Sequence, residues 1–249
     1  MSNKKNVRIK TELLVHDLKN PLAIIEAGAL SLINRQDKYG ILDEKQLKVL
    51  NRILRSSKLA MGLVNDMLEI GKSCEGVFNK RKFFISDLIK KTLVEIFDLT
   101  DHDTADSIKK STSLNELKKI LSDKDILLKV EEMAWQHAVD LDESKIAQIL
   151  RNLLHNAIKF RSKIIELGLE IDEKDLVLLV SDDGMGIKKS DQEKIFECYF
   201  QLNAGEDFTI RGHGLGLAGV LILVEDMGGK LTIDSDKYDG ARFFVKIPL

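Results

Sequence analysis

The sequence predicts an α plus α/β fold in two parts, an antiparallel helical hairpin followed by an α/β sandwich domain. Before position 70 apolar residues recur at alternating steps of three and four, whereas after position 80 helical periods alternate with strand-like runs. The stretch GKSCEGVFNK at 71–80 has the Gly and Asn of a linker and separates the two patterns. We therefore expect domains at 1–76 and 77–249.

Two heptad seams predict the hairpin. They are formed by Leu14, Leu18, Pro21, Ile25, Gly28 and Leu32, and by Leu50, Leu54, Ser57, Met61, Val64 and Leu68. A polar stretch around Gly40 lies between them and suits a turn between antiparallel helices. Since two helices alone cannot enclose both seams, we expect two copies of the chain to form a homodimeric four-helix bundle.

The second half alternates helices and strands. The expected helices lie at 86–97, 113–122, 143–160, 190–198 and 215–228, and the expected strands at 126–130, 134–141, 164–171, 175–181, 230–235 and 242–247. Ser113 with Glu116, and Ser190 with Glu193, fit capping boxes at two helix starts. Asp142 is expected to cap the helix that follows it.

Composition excludes several classes of protein. With 38 basic and 40 acidic residues the net charge is −2, so the chain lacks the broad positive field typical of nucleic-acid binding. No apolar run is long enough to cross a bilayer and the first residues do not form a secretory signal, which predicts a cytoplasmic chain without a membrane segment. Cys74 and Cys198 lie far apart and are expected to be reduced thiols.

The stretch VHDLKNPLA at 15–23 combines a histidine with acidic and amide side chains on one helix. The heptad positions of its neighbours place His16 and Asn20 on the side of the helix away from the seam. A neutral imidazole can attack an electrophile while Asp17 takes or holds the proton on its other nitrogen, and Asn20 can orient a water there. Taken alone, a solitary exposed histidine is more often an ordinary surface residue.

The helix QILRNLLHNAIKF carries a polar stripe. Asn152, Asn156 and Lys159 share one face because they are spaced four and three apart. Amide oxygens suit Mg²⁺ when phosphates supply further ligands, and a lysine suits phosphate oxygens. A polar stripe on a surface helix is the competing interpretation.

Two glycine-rich stretches follow. In LVLLVSDDGMGI an apolar strand ends at Asp182, whose carboxylate can accept a hydrogen bond from an exocyclic amine, while Gly184 and Gly186 permit a tight turn close to a flat ligand. In RGHGLGL the backbone N–H groups at a helix start can cradle phosphate. The glycines of this second stretch are Gly212, Gly214 and Gly216.

The order of these motifs resembles the sensor histidine kinases of two-component signalling. HDLKNPL, NLLHNAIKF, DDGMGI, KIFECYFQ and GHGLGL follow one another, and the chain closes with GGKLTIDSDKYDGARFFVKIPL. The resemblance covers nearly the whole chain. It implies a dimerisation and phosphotransfer hairpin followed by an ATP-binding domain of the type shared with gyrase and the large heat-shock chaperone, with a lid over the nucleotide.

The resemblance also implies residue roles and partners. On the hairpin, His16 matches the phosphoacceptor, Asp17 its neighbouring base and Asn20 the residue that orients water for phosphatase action. In the ATP-binding domain, Asn156 matches the Mg²⁺ ligand, Asn152 its companion and Lys159 the lysine that contacts phosphate. Asp182 matches the residue that binds adenine, with Gly184 and Gly186 beside it. The lid over the nucleotide is matched by Gly212, Gly214 and Gly216, and its aromatic anchor by Phe196 and Phe200. The implied ligands are ATP and Mg²⁺, and the implied partner is a response-regulator receiver domain.

The sequence departs from the family pattern in three places. Gln201 stands where many relatives carry an arginine, so Arg211 is the candidate for that phosphate contact, and His213 replaces a small hydroxyl residue. The polar segment 98–125 exceeds the usual connection and is interpreted as a tolerated surface insertion, with a regulatory or partner-binding insert as the alternative.

Two other functions stay open from the sequence. One is a response-regulator phosphatase or phosphotransfer module with weak kinase activity that uses Asn20. The other is a hydrolysing ATPase of the gyrase type, which typically has a glutamate base where this chain has Asn152.

Overall fold

A computed structural model describes the chain except residues 1–2, 74–78, 99, 173 and 198–214. The side chains of residues 3–16, 58–59, 63 and 65–73 also lie outside the description. The chain divides into two compact units, 1–75 and 76–249. Both cysteines and the seam side chains of Leu14 and Leu68 fall outside the described residues.

The N-terminal unit is a helical hairpin, as predicted. Its helices are α1 (Asn3–Asn34), the short α2 (Gln36–Tyr39) and α3 (Glu44–Ser73). Gly40 ends α2 with a φ of +93°, which favours glycine. A capping box that the sequence analysis missed begins α3, since the Asp43 carboxylate accepts the N–H of Gln46 at 2.8 Å and the Gln46 side chain accepts the N–H of Asp43 at 2.9 Å.

Within one chain, α1 does not turn its predicted seam towards α3. Among the described side chains of the hairpin, the buried ones are Ala29, Leu54, Ser57 and Val64. The Ser57 hydroxyl donates to the carbonyl of Leu22 at 2.9 Å, which places Leu22 on the contact face. Leu18 and Ile25 of the predicted seam are 49% and 47% exposed, and Pro21, predicted in a core position, is exposed within an unbroken helix. These seam residues would require a surface outside the single hairpin to become buried.

The C-terminal unit is built on a five-stranded sheet. In spatial order its strands are β2 (Ile126–Val130), β4 (Ile165–Ile171), β5 (Asp175–Asp182), β7 (Ala241–Pro248) and β6 (Lys230–Ser235). β2 and β4 are parallel and the other neighbours antiparallel, and a separate antiparallel pair joins β1 (Arg81–Phe84) to β3 (Ala138–Leu141). Buried and half-buried residues alternate along β5, which is typical of a sheet covered by helices on one face.

Helices complete the α/β sandwich. They are α4 (Ile85–Phe97), α5 (His102–Lys110), α6 (Leu114–Ser122), the one-turn α7 (Glu132–Trp135), α8 (Glu143–Phe160) and α9 (Gly216–Asp226). The core between helices and sheet includes Leu88, Leu150 and Leu167, all fully buried. As predicted, Asp142 caps α8, because its carboxylate accepts the N–H of Lys145 at 3.2 Å.

The segment 98–125 is part of the core, so its interpretation as a surface insertion was wrong. α5 and α6 lie on α4 and β2 respectively, and five apolar residues of the pair are at most 2% exposed. They are Ala105, Ile108, Leu114, Leu117 and Leu121. Ser113 caps α6 as predicted, since Ser113 Oγ accepts the N–H of Glu116 at 3.2 Å. The Glu116 carboxylate accepts the N–H of Thr112 at 2.8 Å, one residue before the cap, instead of the N–H of Ser113 that a capping box would use.

The helix predicted at 190–198 is absent where the structure describes that segment. Two short 3₁₀ turns, Lys189–Asp191 and Lys194–Phe196, replace it, and Ser190 caps neither. The strand predicted at 134–141 is shorter, because its first residues belong to α7. The sequence analysis also missed β1.

Candidate nucleotide site and phosphoacceptor helix

The polar stripe predicted on α8 is present at the edge of the core. Asn152 and Asn156 are half-buried, whereas Leu153 and Leu154 between them are buried against the sheet and neighbouring helices. The Asn152 amide nitrogen lies 3.5 Å from the carbonyl oxygen of Gly216, the first residue of α9, so the stripe meets the start of that helix. Among the described residues, the Asn156 side chain has no hydrogen-bond partner.

Asp182 occupies the inner face of the sheet. Strand alternation places Leu176, Leu178, Val180 and Asp182 on the same side of β5, and the three apolar residues are fully buried beneath the helices. Asp182 ends the strand and is itself only 9% exposed. Its carboxylate thus lies at the rim of the core on the side that α8 covers. The N–H of Gly184 donates to its Oδ1 at 2.9 Å.

Gly184 and Gly186 are required by close backbone approach. A Cβ on Gly184 would overlap the carbonyl oxygen of Phe160 at the end of α8. Gly186 has a φ of +68°, and a Cβ there would overlap the carbonyl oxygen of Asp236. The two glycines therefore pack the loop after β5 between the end of α8 and the turn that joins β6 to β7.

Two residues that the sequence analysis missed hold this loop. The Ser235 hydroxyl accepts the N–H of Ile187 at 2.8 Å and donates to the carbonyl of Gly240 at 2.5 Å. The Gln192 amide donates to the carbonyls of Ile187 and Ser235 at 3.2 and 2.7 Å. Ser235 and Gln192 are 43 residues apart in sequence, so local patterns gave no signal for this network.

The pKa values of Asp182, at the end of β5, and of Asp183, the next residue, are shifted in opposite directions. Burial raises the pKa of Asp182, and the neighbouring charge of Asp183 raises it further, against the opposing hydrogen bond from Gly184. At Asp183 burial acts in the same upward direction, but hydrogen bonds from backbone N–H groups outweigh it and lower the pKa. Partial burial lowers the pKa of Lys159, whose ammonium lies 4.6 Å from the centre of the Phe160 ring.

The glycine-rich stretch before α9 is described only at its end. Gly216 starts α9, and a Cβ there would meet nothing closer than the Asn152 side chain at 4.0 Å. Phe196 is half-buried and packs against the core. The predicted site residues Arg211, Gly212 and Gly214 lie outside the described residues, as do Phe200, Gln201 and His213.

The predicted acceptor lies on the other unit. His16 belongs to α1, and its side chain is outside the described residues. Asp17 and Asn20 are both exposed on that helix.

No cluster of three or more His, Cys, Asp or Glu side chains is close enough to hold a metal ion within the described part of the chain. The amide oxygen of Asn156 is a hard donor of the type that Mg²⁺ accepts alongside water and phosphate. The residues therefore fit a cation that arrives with a phosphorylated ligand.

The helices searched in the described ranges include none that is long and apolar enough to span a bilayer.

Comparison with protein families gives two matches in chain order. Residues 12–76 match the His Kinase A (phospho-acceptor) domain, and residues 141–249 match the histidine kinase-, DNA gyrase B-, and HSP90-like ATPase family. The second match begins after α5 and α6, so these helices lie outside both matched ranges.

Individual proteins are also similar to this chain. The chain is 25% identical to sensor histidine kinase YcbM of Bacillus subtilis (strain 168), in a match that covers 93% of this chain and 68% of that protein. It is 34% identical to sensor protein RstB of Escherichia coli (strain K12), in a match that covers 56% of this chain and 32% of that protein. It thus spans about a third of RstB. The fold also matches full-length ShkA in complex with AMPPNP, with a TM-score of 0.67 and 22% identity over 96% of this chain and 45% of that one. The two ordered domain matches and these relatives together show that the chain belongs to the sensor histidine kinases of two-component signalling.

Proposed function

We propose that the chain binds ATP in its α/β unit, transfers the γ-phosphoryl group to His16 and passes it on to an aspartate of a response regulator. The observation that carries this proposal is the buried Asp182 carboxylate at the end of β5, on the face of the sheet that α8 covers. The matched ATPase family supports nucleotide binding, and the similar ShkA structure contains an ATP analogue.

Each end of the site suits one end of ATP. The Asp182 carboxylate accepts a hydrogen bond from the exocyclic amine of adenine. Gly184 and Gly186 in the following loop allow its close packing against the end of α8 and the turn after β6. At the other end, Lys159 contacts phosphate oxygens and Asn156 holds Mg²⁺ through its amide oxygen, with Asn152 beside it. Mg²⁺ held there would supply charge neutralisation on the phosphates. Phosphoryl transfer depends chiefly on such positioning and charge neutralisation.

The phosphoryl group is transferred to a ring nitrogen of His16. One imidazole nitrogen attacks the γ-phosphorus, a nitrogen–phosphorus bond forms, and the bond between that phosphorus and the β–γ bridging oxygen breaks to release ADP. Asp17 accepts the proton from the other ring nitrogen. The response-regulator aspartate then attacks the phosphorus, so that an oxygen–phosphorus bond forms and the nitrogen–phosphorus bond breaks. Asp17 returns its proton to the ring and regenerates the neutral imidazole.

The two units contribute different parts to this reaction. His16 belongs to the hairpin and Asn156 to the α/β unit, so phosphoryl transfer requires the two units to approach each other. The exposed seam residues Leu18 and Ile25 become buried when two hairpins pair as a homodimer. The receiver domain of the regulator docks on the outward face of the hairpin near His16.

Labelling with γ-³²P ATP and Mg²⁺ tests the proposal. We expect label on the protein that is labile in acid and stable in base, and its loss in His16→Gln. His102→Gln is the matched control, because His102 is exposed on α5 in the other unit and should leave the label unchanged.

Two other outcomes would contradict the proposal. A chain that takes up no label but dephosphorylates its regulator through Asn20 would be chiefly a phosphatase. Release of free phosphate that persists in His16→Gln, without labelled protein, would indicate a gyrase-type ATPase.

A further inference from the structure

Asp183 contacts the backbone that leaves α8. Its Oδ1 accepts the N–H of Ser162 at 2.9 Å and the N–H of Lys163 at 2.8 Å. Its own N–H donates to the carbonyl of Ile164 at 3.3 Å. A single residue after β5 therefore binds three consecutive residues that begin two positions after the last residue of α8.

The same backbone segment also forms hydrogen bonds with the turn that follows α6. The Arg161 guanidinium donates to the carbonyl of Lys124 at 3.0 Å, and the N–H of Ile165 donates to the carbonyl of Asp125 at 3.0 Å. Residues 124–125 form the turn that follows α6, so the core helices α5 and α6 provide the fixed side of this contact. Segment 161–165 is thus held between that turn and the end of β5.

This arrangement fixes α8 relative to Asp182. Asn156 and Lys159 lie in the last turns of α8, which ends at Phe160, and the carbonyl of Phe160 approaches Gly184 so closely that no Cβ fits there. Asp182 and Asp183 are adjacent in the chain. A tether at Asp183 therefore sets the distance between the adenine end of the site and its phosphate end.

A second carboxylate beside Asp182 is unfavourable by itself, because like charges repel. The two backbone hydrogen bonds offset that cost, since hydrogen bonds to a charged acceptor are stronger than those to a neutral one. We infer that Asp183 is a positioning residue, which fastens the end of α8 to the end of β5 and thereby presents the polar stripe of α8 and the Asp182 carboxylate to one ATP molecule at the correct spacing. This inference rests on the proposed ATP site.

The test compares two substitutions at Asp183 in the full chain. Asp183→Asn keeps an Oδ1 acceptor for both N–H groups, whereas Asp183→Ala removes it. In autophosphorylation assays we expect Asp183→Ala to raise the KM for ATP by roughly ten-fold, as for the loss of one or two such hydrogen bonds. The rate at saturating ATP should change much less, because ATP binding energy still restores the arrangement. Asp183→Asn should restore the KM to within about two-fold of the wild type.

Two further variants make the result interpretable. Ser162→Ala keeps the backbone donor and changes only an exposed side chain, so its KM should equal that of the wild type. If Asp183→Ala does not fold, as judged by the fluorescence of the buried Trp135, Asp183→Glu displaces the acceptor while keeping the charge and should also raise the KM.

The outcomes separate this inference from the proposed function. Asp182→Asn should weaken ATP binding strongly, and if it binds ATP as the wild type does, the adenine assignment itself is wrong. If Asp182→Asn weakens binding but a folded Asp183→Ala or Asp183→Glu retains the wild-type KM, the positioning role is wrong and the ATP site stands. An Asp183→Asn variant as defective as Asp183→Ala would also overturn the inference, because charge rather than the tether would then matter.

Discussion

The hairpin and the α/β unit bury their apolar residues differently. In the α/β unit, side chains from helices and sheet form one core in which residues such as Leu117, Ile149 and Leu178 are fully buried. In the hairpin, Leu18 and Ile25 stay about half exposed and the buried set is small. The comparison indicates that the described core of the α/β unit is buried within one chain, whereas the exposed seam residues of the hairpin require a further surface to cover them.

The strongest test of the complete core is Leu117→Ala in α6. Leu117 is fully buried, so truncation should lower the free energy of unfolding by about 2–5 kcal/mol. Urea unfolding followed by the fluorescence of Trp135, the single tryptophan, reports on this unit alone. The exposed neighbour Lys119→Ala should change stability by less than about 0.5 kcal/mol. If both variants lowered the free energy of unfolding by an equally small amount, α5 and α6 would be a surface insertion and not part of the core.

A smaller effect on folding, but a clear one on assembly, is expected for Ile25→Lys. The side chain is already 47% exposed in one chain, so the charge should leave the hairpin helical. It should break the homodimer, because a lysine in an apolar seam is desolvated without a partner. Light scattering should show half the wild-type mass, and circular dichroism should show unchanged helix content.

Ile24→Lys is the control for that experiment, since Ile24 is 72% exposed and outside the heptad seam. The seam assignment fails if Ile25→Lys remains dimeric, or if Ile24→Lys dissociates the dimer equally.

The smallest effect is expected for the stability of Asp182→Asn without nucleotide. Burial raises the folded-state pKa of Asp182 above its unfolded value, so the folded state binds more protons and stability falls as the pH rises through that window. An amide that cannot ionise avoids this loss, and Asp182→Asn should therefore be more stable than the wild type at pH 7 while binding ATP more weakly. Urea midpoints at pH 7 and pH 4 should differ between the two proteins only at the higher pH. A less stable variant at pH 7 would contradict the assignment.

The sequence predicted α8 and the sheet strands after it well, because their periods are long and clear. The strands β4, β5, β6 and β7 each lie within one residue of the predicted bounds. The same alternation that predicts β5 also places Asp182 on its inner face. These parts of the site are local in sequence and were therefore readable.

Other parts depended on contacts that sequence spacing does not record. The helix at 113–122 was predicted, but the polar residues of 98–125 favoured a surface position for it. Its apolar face, formed by Leu114, Leu117 and Leu121 at steps of three and four, is buried in the fold. Ser190 and Glu193 have the spacing of a capping box, but the chain there forms 3₁₀ turns. Gln192, at the end of the first turn, donates a hydrogen bond to the carbonyl of Ser235. The bonds from Asp183 join residues 20 or 21 apart, so they became visible only in the fold.

The central claim is that the α/β unit binds ATP and the hairpin supplies the acceptor, and the most direct measurement pairs His16→Gln with Asn156→Ala. Each variant is titrated with Mg-ATP and then assayed for acid-labile label. We expect His16→Gln to bind ATP with wild-type affinity and take up no label, and Asn156→Ala to lose both Mg-ATP binding and label while remaining dimeric. Retention of label by His16→Gln, or normal autophosphorylation by Asn156→Ala, would contradict this division of roles.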